Sequence, residues 1–221
     1  MGEELWTSVD GYFNESVVGT DAVLDAAAGA AAAAQLPPVS VTPAYGKLLH
    51  LIARAQNATR ILEIGTLAGY STIWLARAVP VDGRVMTLDV NAKHVEIARA
   101  NLGRAGVADR VEIRVGPAVE TLSQLARDGE LPFDFTFIDA DRPNAAAYFD
   151  WAVRLSRRGG MIVVDNVVRK GRVLDTSNTD PDIVGIRHLV ERLASDARVS
   201  ATVMQTVSSK GHDGFVLALV L

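Results

Sequence analysis

From Thr59 onward the chain alternates short β-branched runs with amphipathic stretches at helical spacing, the pattern of a parallel sheet wound with helices on both faces. Strands are expected at 60–64, 84–88, 110–115, 133–138 and 160–164, separated by helices at 71–78, 92–105, 119–126 and 145–155. A further amphipathic helix at 183–194 precedes two more runs, 198–206 and 214–221. The turn-rich SSKGHDG between those runs predicts an antiparallel hairpin at one edge. The expected fold is therefore α/β: a Rossmann-like, doubly wound, mostly parallel seven-stranded sheet with a C-terminal antiparallel hairpin and extra N-terminal helices.

With 221 residues, 49% of them hydrophobic, the chain can bury one large core, so a single domain over 1–221 is expected. Its core is 59–221, and 1–50 forms a helical region that serves substrate or dimer. Residues 1–36 read as helical. Trp6, Val9, Tyr12 and Phe13 are spaced for one apolar face, and an alanine run at 26–34 ends at Pro37 and Pro38. Methyl groups bury little area, so the alanine segment is expected to gain its order against the main domain or a second subunit. A formal net charge of −4 lacks the clustered Lys and Arg that phosphate binding needs, which points to a small-molecule substrate and no nucleic acid. The absence of cysteine excludes disulfides, thiolate metal sites and cysteine nucleophiles. No stretch approaches the roughly 18 to 20 apolar residues of a membrane span. The opening MGEELWTSVDGYF lacks the basic and apolar regions of a signal peptide, so a cytoplasmic location is expected.

Ligands of open α/β sheets bind beyond the carboxyl ends of the strands, near the point where strand order reverses. The first strand ends in LEIGTLAGYS, where Gly65 and Gly69 permit a tight turn and Ser71 opens a helix. This spacing departs from the dinucleotide fingerprint, and Glu63 would repel a pyrophosphate, so a cationic ligand suits it better. Asp89 lies about 20 residues past the glycine turn, where a carboxylate can accept from both ribose hydroxyls. The competing reading makes Asp89 a solvated helix cap. Gly116, Pro117 and Ala118 form a turn whose backbone can meet an adenine edge.

The fourth strand delivers Asp139 and Asp141 in FDFTFIDADR, and the fifth delivers Asp165 and Asn166 in MIVVDN, at the same edge. Carboxylates packed there repel one another unless a cation neutralises them. Asp139, Asp165 and Asn166 form an oxygen-only set that suits Mg²⁺ or another hard divalent ion such as Ca²⁺ or Mn²⁺. The alternative is that Asp165 and Asn166 simply make a turn.

In this order the segments WTSVDGYF, VSVTPAYGKLL, LEIGTLAGYST, GPA, FIDAD, DN and DGFVLAL resemble the cation-dependent class I O-methyltransferases, the group of catechol and caffeoyl-CoA O-methyltransferases. The resemblance covers nearly the whole chain. It implies S-adenosylmethionine (SAM) as cofactor, held by Val41 and Ser71 at the methionine end and by Glu63, Gly65 and Thr66 in the first loop. Asp89 would take the ribose and Ala118 the adenine, and Gly69, Asp139 and Asp141 would also contact the cofactor. It also implies metal binding by Asp139, Asp165 and Asn166, a phenolic acceptor and a homodimer.

Two residues depart from the family pattern. Arg142 stands where the family carries the lysine thought to deprotonate the acceptor. A guanidinium is always protonated, so with Asp139 it can only stabilise charge, while the metal lowers the hydroxyl pKa enough for water or a carboxylate to take the proton; Arg142 can equally be a surface ion-pair partner. Lys170 stands where the plant acyl-CoA enzymes place asparagine, so that substrate contact does not carry over. The rival expectations are methyl transfer to another acceptor such as a nucleobase, and SAM binding without catalysis.

Overall fold

The computed structural model describes residues 2–221, and its centre is one seven-stranded sheet in the order β3-β2-β1-β4-β5-β7-β6. The strands are β1 (Arg60–Ile64), β2 (Arg84–Asp89), β3 (Val111–Val115), β4 (Phe133–Ile138), β5 (Ser156–Asp165), β6 (Val199–Ser208) and β7 (Gly211–Val220). The first five run parallel, and β7 enters antiparallel between β5 and β6. The helices are α1 (Gly2–Phe13), α2 (Ala22–Ala33), α3 (Pro43–Ala55), α4 (Tyr70–Ala76), α5 (Ala92–Arg104), α6 (Ala118–Arg127), α7 (Ala145–Leu155) and α8 (Pro181–Ser195).

Strand parity divides the core. Ile61 faces Leu49, Ile73 and Phe135, under α3 and α4. Leu62 and Ile64 point the other way, to Phe149, Ile162 and Val164 under α7 and α8. The chain steps outward from β1 through β2 to β3, then returns to β4 on the opposite side of β1. The switch point thus lies between β1 and β4, and that is where an α/β sheet opens a crevice.

The N-terminal region differs from a continuous helix over 1–36. After α1 the chain tightens into a π-helical turn (Asn14–Val18), breaks at Gly19, and restarts where the Asp21 carboxylate accepts from Val23 N at 3.1 Å and Leu24 N at 3.2 Å. Within the alanine run, Ala27 and Ala31 join Leu24 on a buried face against α4 and α5, so the methyl stripe does dock on the main domain. The face expected from Trp6, Val9, Tyr12 and Phe13 is not buried: α1 contributes no core residue, and Tyr12 is 67% exposed. Helix α3 was not foreseen from the sequence. Thr42 caps it and Pro43 occupies its first turn.

Candidate active site

The loop after β1 is tied to its neighbours by backbone hydrogen bonds: Gly65 N donates to Leu88 O at 2.9 Å, and Asp139 N donates to Ile64 O at 2.8 Å. The ends of β1, β2 and β4 are thereby held level, above a cavity of about 790 Å³ at the switch point. Val41, Gly65, Thr66, Ser71, Asp89 and Ala118 line it from one side. Asp139, Asp141, Arg142 and Asn166 line it from the other.

Asp89 is held by the loop it serves. One carboxylate oxygen accepts from Leu67 N at 2.8 Å, the other from Asn91 N at 2.8 Å, and His94 Nδ1 lies 3.2 Å away. Such a fixed acceptor at the cavity wall is more than a solvated helix cap, since it is preorganised toward the space where a ribose would lie. Gly69, expected at the cofactor, lies outside the cavity wall. Its left-handed φ of 80° starts α4, and the absence of a side chain lets the loop approach Ala98 of α5.

Glu63 also departs from expectation. It belongs to β1 rather than the loop, and strand parity turns it beneath the cavity floor toward α4. There its fully buried carboxylate accepts from Ser71 Oγ at 2.6 Å, Thr72 Oγ1 at 2.5 Å and Thr87 Oγ1 at 2.6 Å. Ser71 lines the cavity, so Glu63 reaches it through that hydroxyl. Burial pushes the Glu63 carboxyl up from 4.5 to about 7, while the three hydroxyls pull it back down. A carboxyl raised on folding stabilises the fold fully below about pH 4.5, and that contribution is lost as pH rises through about 7. Glu63→Gln is expected to shrink the fall in melting temperature between about pH 5 and 8, measured by thermal unfolding of both proteins.

At the acidic end the expected donors converge. Arg142 Nη2 donates to Asp139 Oδ1 at 2.9 Å and also to Asn166 Oδ1, while the other guanidinium nitrogen holds the Ala140 carbonyl. Arg142 is therefore a partner of the acidic cluster, not a surface ion pair. Asp165 stands behind this pair, outside the cavity wall, with one oxygen accepting from Asn166 N at 2.8 Å. Burial above all pushes Asp139 up to about 6, with Arg142 opposing. Asp165 is pushed up to about 8 by burial and then by the charge of Asp139. Among the described residues no three His, Cys, Asp or Glu gather as a metal site. The expected set has two carboxylates and one amide oxygen, and two buried carboxyls, one of them raised further by the charge of the other, fit a hard cation.

Several residues at the site gave no signal in the sequence. Tyr148 lines the cavity and donates to Asp141 from the first half of α7, and Asn144 Nδ2 donates to the other Asp141 oxygen at 2.6 Å. His94 lines the cavity beside Asp89, and the hydroxyl of half-buried Tyr45 lies near Asp165 and Asp139. A helical tyrosine facing Asp141 follows from the pitch of α7 alone, but only once its start at Ala145 is known.

The sheet order and the cavity at its switch point define an α/β Rossmann-like methyltransferase fold. A family model described as O-methyltransferase matches residues 14–220. A catechol O-methyltransferase from Mycobacterium tuberculosis is 52% identical over 212 residues, 96% of this chain and 94% of the relative. One from Niastella koreensis is 46% identical over 220 residues, with both chains fully covered. Among solved structures, the O-methyltransferase from Bacillus cereus in complex with SAH superposes with a TM-score of 0.97 at 50% identity, covering 99% of this chain and all of that one. An O-methyltransferase of Streptomyces achromogenes involved in tomaymycin synthesis, in complex with SAM, gives 0.96 at 49% identity, covering 100% and 99%. The chain belongs to the O-methyltransferase family and is a SAM-dependent O-methyltransferase.

Proposed function

We propose that the protein moves the methyl group of SAM to one hydroxyl of a small vicinal diphenol, with a divalent cation held by Asp139, Asp165 and Asn166. The observation that carries this reading is a single cavity with a preorganised acidic acceptor, Asp89, at one end and Asp139 with the Asn166 amide oxygen at the other, backed by Asp165, whose carboxyl is raised by burial and then by the charge of Asp139. Relatives named catechol O-methyltransferase support the acceptor class.

SAM supplies a methyl carbon activated by its sulfonium. Asp89 would accept from the ribose, the Ala118 turn would border the adenine, and Val41, Thr66 and Ser71 would border the methionine end. A bound hard cation supplies polarisation of two adjacent acceptor oxygens, which lowers the hydroxyl pKa and favours one regiochemistry. Asp139, Asp165 and Asn166 would hold such an ion, and Arg142, which donates to Asp139 and Asn166, would supply positive charge beside the developing oxygen anion. Holding the reactants in line supplies the rest of the acceleration. A nucleobase acceptor is disfavoured by the net charge of −4.

Labelled SAM and a panel of vicinal diphenols test this. Chelator-treated protein is expected to be inactive and to recover when Mg²⁺ is returned, whereas full turnover in excess chelator contradicts the cation.

We also propose that the protein is a homodimer. Edge strand β6 exposes Val203, Met204 and Val207, and α1 with its π-turn exposes Leu5, Tyr12, Phe13 and Val17. An edge strand with apolar side chains is open to association unless covered. Light scattering coupled to gel filtration should return about twice the 23.6 kDa chain mass; a monomer at micromolar concentration contradicts the proposal.

A further inference from the structure

Methyl transfer to a hydroxyl needs somewhere for the hydroxyl proton to go, and the groups nearest the acidic end are unsuited. Arg142 is permanently charged and has no lone pair to accept a proton. Both oxygens of Asp141 are taken by Tyr148 and Asn144. The Tyr45 hydroxyl lies beside Asp165, and burial first, then the charges of Asp165 and Asp139, hold its proton on well above the ordinary tyrosine range. His94 lies at the opposite end, on Asp89.

The β6–β7 turn brings a different side chain to this end. Ser209 and Lys210 alone connect the two strands, and the turn is anchored on both flanks. On one flank Ser209 N donates to Asp10 Oδ2 of α1 at 2.8 Å. On the other, Lys210 Nζ donates to the carbonyl of Ser40, and Val39, Ser40 and Val41 are consecutive wall residues of the cavity. Lys210 is an exposed residue of the turn, and its ammonium, held on the Ser40 carbonyl at the cavity wall, is close enough for Asp139 and Asp165 to act on its charge.

We propose that Lys210 is the general base of the reaction, its neutral amine taking the proton of the acceptor hydroxyl. The assignment rests on the proposed function above. The acceptor O–H bond breaks and its proton passes to the Nζ lone pair. The oxygen pair forms the new O–C bond, and the C–S bond breaks with its electrons returning to sulfur, which turns the sulfonium into a neutral thioether. The resulting ammonium then releases its proton to water. Walling by protein holds the Lys210 ammonium below the ordinary lysine range, and the opposing influences are the carboxylates of Asp139 and Asp165. Asp10 on Ser209 N, and the Lys170–Glu3 pair beside Gly211, are the other charges around the turn.

Lys210→Arg keeps the charge and the tether but cannot accept a proton, and Lys210→Met removes all three. Both lie on an exposed turn, and thermal unfolding confirms that they fold. In kinetics with a vicinal diphenol, SAM and Mg²⁺ across about pH 6 to 10, both variants are expected to lose roughly 10²-fold or more in kcat, together with the rise in rate that follows deprotonation of the amine as pH increases. SAM affinity by calorimetry should stay within about twofold, and added methylamine should restore part of the Lys210→Met rate. Retention of roughly a third or more of kcat by Lys210→Arg, or a wild-type pH profile in Lys210→Met, would overturn the assignment of Lys210 alone. Wild-type protein inactive on every diphenol would overturn the acceptor reading and the base with it.

Discussion

Asp165→Asn is expected to abolish cation-supported methyl transfer while making the metal-free protein more resistant to unfolding at alkaline pH. Asp165 is pushed up to about 8 and Asp139 to about 6, both first by burial, with the Asp139 charge adding to the first. Both carboxyls titrate from 3.8 in the unfolded chain, so their contribution to stability is full below that value. It is lost as pH rises toward about 6 and about 8. Asparagine keeps the shape and removes the carboxyl with the larger shift. Asp139 keeps 18% of its side chain exposed and is paired with Arg142, so the gain is discounted to about 1–3 kcal/mol at pH 8. Catalytically, losing a ligand to a Lewis-acidic ion removes several kcal/mol of transition-state stabilisation, roughly a thousandfold in rate. Thermal unfolding at about pH 5 and 8, with and without Mg²⁺, together with turnover, checks both halves. Wild-type turnover in the variant, or a lower melting temperature at the higher pH, contradicts the assignment.

The second large effect concerns the loop that positions the cofactor. At Gly65 the backbone has a φ of 106°, and a Cβ there would run into the Asp139 carbonyl group and lie 3.2 Å from Ala140 N. These atoms are backbone at the end of β4, so they cannot rotate aside. Gly65→Ala therefore combines a left-handed conformation unfavourable to an L side chain with overpacking, together about 2–5 kcal/mol. Any relief parts the β1 loop from the β4 end, and both line the cavity, so SAM affinity is expected to fall about tenfold or more. Gly103→Ala is the control. A Cβ there meets nothing within 4 Å in helix α5, and alanine should add about 0.5–1 kcal/mol. Calorimetric titration with SAM and chemical unfolding of both variants separate the two; a Gly65→Ala protein with unchanged affinity and stability contradicts the close approach.

The central strands were readable because burial on both faces demands continuous apolar runs: β1 and β4 fall where 60–64 and 133–138 placed them. The rest failed for local reasons. Strand β5 was expected from 160 but begins at Ser156, because Gly159, at a left-handed φ of 77°, and Gly160 interrupt its apolar run. The SSKGHDG stretch read as a loop, yet His212 Nε2 meets Gln205 Oε1 at 2.9 Å across the strands and pairing continues to Ser208 and Gly211. That tightening is what carries Lys210 toward Ser40, so its position was invisible until the hairpin length was known. Helix α3 announced itself only through Thr42 and Pro43, because Gly46 and His50 interrupt its apolar pattern; Gly46 is needed where the Trp74 ring packs against the helix. At the site, strand ends were legible and parity was not used: Asp89, Asp139, Asp165 and Asn166 came to one edge, whereas Glu63 followed its strand to the opposite face.

The most direct measurement is anomalous diffraction from crystals grown with Mn²⁺, SAH and a vicinal diphenol. The expected map has one manganese peak contacted by oxygens of Asp139, Asp165 and Asn166, with the diphenol oxygens completing the coordination. A map without manganese there while the diphenol is bound contradicts the account.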